Sequence, residues 1–170
     1  MGTTIEQSYV YRTLTGDDSP SWAALRQEGA RDFPLGFLFT AEEAATMTSD
    51  EARSILNNGN TRGVFDASSM IGYCGLQMET LKQTRHRAEI GPFYVTSTYQ
   101  GRGAARVLMD GVIGEARTRG IEQLELFVEV GNTRALAFYE RFGFERISVH
   151  PDGFRIGGKP RDAYFCILRI

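Results

Sequence analysis

The segment from Gln100 to Ala105 carries residue types that favour the binding of an anion. It lies between a predicted strand and a predicted helix, and its sequence is Gln100-Gly101-Arg102-Gly103-Ala104-Ala105. Glycines at such a junction let backbone N–H groups approach a ligand, and the amino end of a helix adds partial positive charge. Together these features make an anion site that is most often used for phosphate. A purely structural turn would explain the same glycines.

Two common phosphate-binding loops do not fit this segment. A Walker loop ends in Gly-Lys-Ser or Gly-Lys-Thr, and that ending is absent from the segment. The dinucleotide-binding fingerprint, counted from Gly101 and Gly103, places Arg106 where glycine or alanine is required. A long side chain at that position would disrupt the close packing of helix against strand. The residues therefore exclude both loop types.

A strand and a long helix are expected on the two sides of this segment. Residues 88–95 predict a strand that Pro92 interrupts, because proline cannot donate to a sheet ladder; this indicates a bulge or a splayed edge. Apolar residues recur at helical spacing from Ala105 to Ala116, which predicts an amphipathic helix with Gly120 as its stop.

Further predicted elements complete the order along the chain. A strand and two helices come first, then three strands, then alternating helices and strands, and finally two strands. The remaining predicted strands are 8–14, 63–66, 70–78, 124–130, 144–150 and 162–170, and the remaining helices are 19–30, 49–56 and 132–142. Residues 150–161 are expected to form a loop. This order indicates an α/β or α+β domain with a mixed sheet, and the absence of repeats or a long linker favours one domain over residues 1–170.

Composition and charge exclude several classes of protein. The chain has 170 residues, 42% of them hydrophobic, which is typical of one soluble domain. A formal net charge of -2 gives no basic excess for nucleic acid or an anionic membrane, and no apolar run reaches the roughly 18 residues of a membrane helix. Cys74 and Cys166 lie in apolar runs without a CxxC motif or a Cys/His cluster. We therefore expect reduced thiols, a cytoplasmic protein and no metal site.

Two motifs resemble the signatures of the GNAT superfamily of N-acetyltransferases. Gln100-x-x-Gly103-x-Ala105 matches the family's pyrophosphate loop and follows, at the family's spacing, a strand that ends at Val95. A second signature lies downstream at the usual distance, with the residues Asn132-x-x-Ala135-x-x-Phe138-Tyr139-x-x-x-Gly143-Phe144. The resemblance implies a mixed, mostly antiparallel sheet of six to seven strands, splayed at strand 4 and flanked by about four helices.

The resemblance implies acetyl-CoA as co-substrate, with no metal. Its pyrophosphate would lie on backbone N–H groups of residues 101–105, with Arg102 or Arg106 in charge-assisted contact. Its pantetheine arm would pair like an extra strand with Phe93 and Val95, where the sheet splays. The implied cofactor-binding residues are Phe93, Val95, Gln100, Gly101, Arg102, Gly103, Ala104, Ala105, Arg106 and Asn132.

The reaction that the resemblance implies is direct attack of an amine on the thioester in a ternary complex. Because an amine has a pKa near ~10, a base or a water relay must first remove a proton. Glu89 matches the family position for that base; a solvated or substrate-orienting carboxylate is the alternative. Tyr139 matches the position of the acid that protonates the CoA thiolate, and a core aromatic is its alternative. The Phe93 N–H would hold the oxyanion.

No motif identifies the acceptor. The net charge gives no sign of a nucleic-acid or histone-tail surface, so we expect a small-molecule primary amine as acceptor and neither nucleic acid nor membrane as partner. A protein or peptide N-terminal acetyltransferase and a non-catalytic acyl-CoA-binding sensor are the alternatives. Glu129 or Asp162 would favour a cationic amine if either faced the acceptor, whereas Phe33, Phe37 and Phe39 are expected in the core. The final strands can pair within one chain or across a homodimer.

Overall fold

A seven-stranded sheet organises the computed structural model, which describes residues 8–170. The strands are β1 (Tyr9–Thr13), β2 (Thr61–Asp66), β3 (Ser69–Met78), β4 (Arg87–Val95), β5 (Gln123–Glu129), β6 (Glu145–Ile156) and β7 (Lys159–Arg169). Their order in the sheet is β1-β2-β3-β4-β5-β7-β6, and only the β4–β5 pair is parallel. The mixed, mostly antiparallel sheet expected from the resemblance is therefore confirmed.

Within residues 8–170, five α-helices flank the sheet. They are α1 (Ser19–Asp32), α2 (Ala41–Thr46), α3 (Ser49–Asn57), α4 (Ala104–Thr118) and α5 (Thr133–Arg141). Helix α2 was not expected from the sequence, because six residues are too few to show an apolar period. A capping box begins this helix: the Thr40 hydroxyl accepts from Glu43 N at 3.1 Å, and Glu43 Oε2 accepts from Thr40 N at 2.8 Å. None of the helices described within residues 8–170 is long and apolar enough to cross a membrane.

The prediction of a loop over residues 150–161 is wrong, because β6 and β7 occupy these residues and form one long hairpin. Residues 151–153 resemble a turn in sequence, but they form an irregularity inside β6 where the pairing register shifts. The true turn is at Gly157 and Gly158, which have φ values of 56° and 77°. Two consecutive residues with positive φ are what a tight hairpin turn requires. The last two strands thus pair within one chain.

Two hydrophobic cores lie on opposite faces of the sheet. Successive residues of a strand point to opposite faces, so Cys74 packs in the core beneath α4 and α5, while Tyr73 packs with α1 and α3. Both Cys74 and Cys166 are free and buried. Because helices cover both faces of the sheet, the central strands are apolar on both faces.

The sheet splays between β4 and β5. Only residues 87–89 of β4 pair with β5, although both strands continue beyond that point. Pro92 has no N–H to donate, and the β3–β4 register shifts opposite the Gly91–Pro92 step. A Cβ at Gly75 would collide with the Gly91 carbonyl oxygen, so glycine at that position permits the close approach of the two strands. The splay expected at strand 4 is confirmed.

A buried ion-pair network ties α4 to the sheet. Arg62 on β2 has a side chain that is 1% exposed and donates to both carboxylate oxygens of Glu115, at 2.7 and 2.8 Å. The Tyr11 hydroxyl donates to the same carboxylate at 2.6 Å, and Arg119 donates to it from the surface at 2.9 Å. These donors hold the pKa of Glu115 at about 2, with the Arg62 hydrogen bonds as the largest cause.

The Glu115→Gln variant should lose about 3–5 kcal/mol of unfolding free energy at pH 7, because the buried Arg62 guanidinium loses its counterion. Since the folded-state pKa of Glu115 lies below its ordinary value of 4.5, its contribution is complete above about pH 4.5 and disappears as the pH falls to about 2. Urea unfolding of both proteins between pH 7 and pH 2 should therefore show the difference shrinking with acidification.

The Arg119→Gln variant is the matched control. It removes only the half-exposed partner of the same carboxylate, so it should cost less than about 1 kcal/mol. A Glu115→Gln protein as stable at pH 7 as the Arg119→Gln protein would contradict the structural importance of the buried pair.

Candidate functional site

A cleft of about 540 Å³ opens where β4 and β5 separate. The end of β4, the loop into α4, α5 and the loop after α1 form its walls. Most of the site residues predicted from the sequence line it, namely Phe93, Val95, Gln100, Gly101, Gly103, Ala105, Arg106, Asn132 and Tyr139. Glu89, Arg102 and Ala104 do not line it: Glu89 lies on β4 before the splay, and the Ala104 side chain is fully buried.

One edge of β4 is open toward this cleft. Thr96 N donates to Ile71 O at 2.9 Å, so the Thr96 backbone faces β3. The backbone N–H and C=O groups of successive residues in a strand point to alternate edges. Those of Phe93 and Val95 therefore point away from β3, toward the gap between β4 and β5. The Gln100 side-chain amide donates to Val95 O at 2.8 Å and ties the following loop to the strand. The Phe93 N–H and C=O and the Val95 N–H remain to pair with an extended, amide-bearing molecule.

The loop into α4 exposes backbone N–H groups to the same cleft. Gly101 and Gly103 have φ values of 74° and 87°, in the left-handed region that favours glycine. A Cβ at either position would meet no atom within 4 Å, so the space beside the loop is open. Gly103 is the N-cap of α4, and no side chain there accepts from the first N–H groups of the helix. These donors and the positive end of the helix suit an anion.

Arginine side chains make the cleft positive. Arg106, Arg134 and Arg141 line it, and none of the described residues that line it is a carboxylate. Arg134 and Arg141 were missed from the sequence, although their spacing of seven residues places them on one face of α5 and could have indicated a shared surface. Arg102, by contrast, lies 5.9 Å from the ring centre of Tyr99. The cleft therefore favours a ligand with several negative charges.

Tyr139 lies in this cleft on α5, among other aromatic side chains. Its ring contacts those of Phe93, Phe138 and Phe144 at centroid distances of 6.1, 5.4 and 5.6 Å. Burial raises the pKa of Tyr139 well above the usual value of 10.0. The phenol therefore keeps its proton at neutral pH, and the raised pKa also makes it a weaker acid than an exposed tyrosine.

Glu89 lies at the base of the splay, beside Glu125. The two residues are register partners across β4 and β5. Glu125 is bound to Arg87 at 2.7 Å, whereas Glu89 forms no ion pair with the described residues. Partial burial raises the pKa of Glu89, and the negative charges of Glu125 and Glu79 raise it further. A carboxylate with a raised pKa is better matched to accepting a proton near neutral pH than an ordinary one.

Glu129 and Asp162 are engaged by the protein itself. Glu129 is 3% exposed and accepts from Gly131 N at 2.7 Å and from Arg161 Nε at 3.0 Å. Asp162 accepts from Asp152 N at 2.9 Å. Glu129 is therefore not a free counterion for a cationic amine, whereas Asp162 is exposed and forms no ion pair with the described residues. Within residues 8–170, no group of three or more Asp, Glu, His or Cys side chains is placed to hold a metal ion.

Aromatic residues from the loop after α1 form the remaining wall. Phe37 packs in the core as expected, but together with Phe33 it also lines the cleft beside Tyr94. The Tyr94 hydroxyl donates to Glu28 at 2.8 Å, and Thr96 donates to the same Glu28 oxygen at 2.6 Å. Glu28 thus joins α1 to the end of β4. Nothing in the local sequence pattern indicated this contact, because it joins residues far apart in the chain.

The sequence of this chain is similar to those of known acetyltransferases. The family model described as "Acetyltransferase (GNAT) family" matches residues 21–144. The mycothiol acetyltransferase of Propionibacterium freudenreichii subsp. shermanii is 28% identical over 139 residues, which cover 74% of this chain and 44% of that protein. The chain spans less than half of the length of the mycothiol acetyltransferases that it matches.

Solved structures share the fold at low sequence identity. A ribosomal-protein-alanine N-acetyltransferase from Brucella melitensis superposes with a TM-score of 0.82 at 22% identity, covering 95% of this chain and 99% of that one. A putative acetyltransferase from Salmonella typhimurium, solved with its cofactor acetyl-CoA, has a TM-score of 0.79 at 17% identity, covering 95% of this chain and 93% of that one.

The Glu125→Gln variant should lower the pKa of Glu89 toward its ordinary value. The substitution removes the negative charge of Glu125, the register partner of Glu89, and breaks the ion pair between Glu125 and Arg87. Both changes favour the ionised form of Glu89. Carboxyl NMR titration of both proteins measures the change. Glu122→Gln, which removes an exposed carboxylate near β5, is the control and should leave the pKa of Glu89 unchanged. An unaltered Glu89 titration in Glu125→Gln would refute the proposed coupling.

Proposed function

Because the chain belongs to the GNAT acetyltransferase family, we propose that it transfers an acetyl group from acetyl-CoA to the primary amine of a small molecule. The observation that carries this proposal is the open edge of β4 beside a cleft lined by three arginines. Residues 1–170 would act as one catalytic domain. The buried, free Cys74 and Cys166 suit the reducing cytoplasm that we propose as its compartment.

The parts of acetyl-CoA would lie in order along the cleft. The diphosphate would accept from the backbone N–H groups of residues 101–105, with Arg106, Arg134 and Arg141 supplying positive charge. Since the Ala104 side chain is buried, that residue would contribute only its backbone. The amide-bearing arm would lie along Phe93 and Val95, and Asn132 lines the cleft opposite them. Gln100 would act by holding the loop in place.

We assign the proton transfers to Glu89 and Tyr139. Glu89, directly or through a water relay, would take a proton from the amine, whose nitrogen then forms a bond to the acetyl carbonyl carbon. The Phe93 N–H would stabilise the oxygen that gains charge in this step. When the carbon–sulfur bond breaks, the Tyr139 hydroxyl would supply a proton to the thiolate, and the second proton that the nitrogen loses on becoming an amide would restore the phenol.

A small amine is the preferred acceptor for two reasons. Mycothiol acetyltransferases, which are similar to this chain, are named for a small molecule, and the net charge of -2 gives no sign of a surface for nucleic acid or a histone tail. The alternative acceptor is a protein or peptide N-terminus, and the Brucella melitensis protein is named for the alanine of a ribosomal protein. A non-catalytic acyl-CoA sensor is the third candidate.

The Gly103→Glu variant should abolish detectable binding of acetyl-CoA. The new side chain would enter the open space beside the loop, where the diphosphate is proposed to lie, and would bring a negative charge. Gly114→Glu adds the same charge at an exposed position on the same helix and should leave affinity unchanged. Isothermal calorimetry of both variants, after their melting temperatures are compared, provides the test. Wild-type affinity in a folded Gly103→Glu protein would exclude the assigned loop.

The Tyr139→Phe variant should lower kcat at least about tenfold while acetyl-CoA affinity stays near that of the wild type, because only the proton donor is removed. Tyr164→Phe removes a tyrosine hydroxyl outside the cleft and is the matched control. Release of the CoA thiol with an amine acceptor measures the rate. Equal kcat for Tyr139→Phe and wild type would reject the role of Tyr139 as the acid.

A further inference from the structure

One face of the sheet has no helix over β5, β6 and β7 in the part of the chain that the structure describes. The side chains of Leu126 and Val128 pack beneath α4 and α5, so the side chain of Phe127 between them points to the opposite face. On that opposite face, the core beneath α1 and α3 takes its described strand residues from β2, β3 and β4. Phe127 is therefore 49% exposed, although it lies on a central strand.

Phe127, His150 and Phe165 form an aromatic patch on this open face. The ring centre of Phe127 lies 5.1 Å from that of Phe165 and 5.9 Å from that of His150. His150 is exposed and Phe165 is partly buried. A single exposed ring is common on protein surfaces, whereas several exposed rings in mutual contact are typical of a binding surface.

Glu89 lies on the same face as the aromatic patch. Its neighbours Ala88 and Ile90 pack beneath α4 and α5, so the carboxylate of Glu89 points to the other face. Glu89 is the register partner of Glu125, and Phe127 lies two residues further along β5. Regular sheet spacings then place the Cα atoms of Glu89 and Phe127 about 8 Å apart. One small molecule can therefore reach both side chains.

The cleft described above also reaches this face. The turn Pro34–Gly36 lies beside β5, and Gly36 and Phe37 line the cleft. Phe37 belongs to the core beneath α1, on the same face of the sheet as the aromatic patch. A molecule that lies on the patch can thus extend to the end of the cleft without crossing the sheet.

The charges that β4 and β5 contribute to this face match a single ammonium group. Of their three carboxylates, that of Glu125 is paired with Arg87 and that of Glu129 with Arg161. Glu89 forms no ion pair with the described residues, so its negative charge is uncompensated. One free negative charge beside an aromatic patch suits a ligand that has one positive charge and an apolar body.

We propose that Phe127, His150 and Phe165 form the subsite for an aromatic ring of the amine acceptor. The acceptor is then a monoamine whose ring is joined to the nitrogen by a short, flexible chain. This rests on the proposed function, because Glu89 is placed beside the reacting amine. The acceptor ring would pack against Phe127 in an offset or edge-to-face arrangement, and both the buried area and the ring contact would favour binding.

Calorimetry with phenylbutylamine tests the aromatic patch without any enzymatic reaction. The titration is made with and without CoA, which has no acetyl group to transfer. Wild type should bind the amine in a saturable way, and Phe127→Ser should weaken this binding at least about tenfold, because the acceptor ring loses its main contact.

Val10→Ser is the matched control for the calorimetry. Val10 is 50% exposed, as Phe127 is, but it lies on β1 at the far edge of the sheet. This variant should bind phenylbutylamine as wild type does. Melting temperatures of both variants are compared with that of wild type, so that a folding defect is recognised.

A second measurement tests whether the bound ring belongs to the acceptor. Butylamine, phenylbutylamine and putrescine share one butyl chain, whose far end carries hydrogen, a phenyl ring or a second ammonium group. Wild type should prefer phenylbutylamine to each of the other two amines at least about tenfold in kcat/KM. Phe127→Ser should lose the preference for phenylbutylamine over butylamine, and Val10→Ser should keep it.

The possible outcomes separate this subsite from the proposed function. No saturable binding of phenylbutylamine under either condition, or equal affinity in wild type and Phe127→Ser, overturns the subsite. A wild-type dimer in light scattering that Phe127→Ser converts to a monomer also overturns it, because the patch is then an interface between two copies. Equal kcat/KM for butylamine and phenylbutylamine overturns the assignment to the acceptor. Binding that depends on Phe127 without turnover of any amine supports the aromatic subsite and contradicts the proposed acetyl transfer.

Discussion

The loss of pairing between β4 and β5 is the constraint on which the site depends. After Glu89 the two strands separate, and the Gly91–Pro92 step prevents a regular ladder from continuing. Unpaired backbone groups of a central strand would normally be costly to bury, so the fold leaves them facing a cleft. The same separation gives an extended amide chain a strand to pair with. The cleft and the proposed binding edge thus have one cause, the separation of β4 from β5.

The charged side chains around this opening fall into two groups: those proposed to act on the ligands and those that hold the structure together. Arg106, Arg134 and Arg141 face the cleft, where the diphosphate is proposed to lie. The carboxylate proposed as base lies at the base of the splay, where burial and a neighbouring glutamate raise its pKa. The amino end of α4 keeps its direction because the buried Arg62–Glu115 pair fixes the other end of that helix to the sheet. On α4, the structural charge of Glu115 and the proposed binding charge of Arg106 thus lie near opposite ends of the helix.

Local patterns predicted much of this arrangement, and contacts distant in sequence account for what they missed. The glycine loop, the interrupted strand and the helix beginning at Asn132 each depend on neighbouring residues, and nine of the twelve site residues expected from the sequence line the cleft. The short helix α2 and the continuation of β6 through residues 151–153 were missed, because six residues show no period and a bulge resembles a turn. The role of Glu28 depends on packing between elements, which no local spacing encodes.

Amide hydrogen exchange in the presence of acetyl-CoA tests the central claim most directly. If the open edge of β4 and the following loop hold the molecule, the exchange of Val95 N–H and of the N–H groups of residues 101–105 should slow at least about tenfold on saturation. Amides of the β6–β7 hairpin, remote from the cleft, should exchange at unchanged rates. Protection confined to other segments, or no protection at a saturating concentration, would contradict the account.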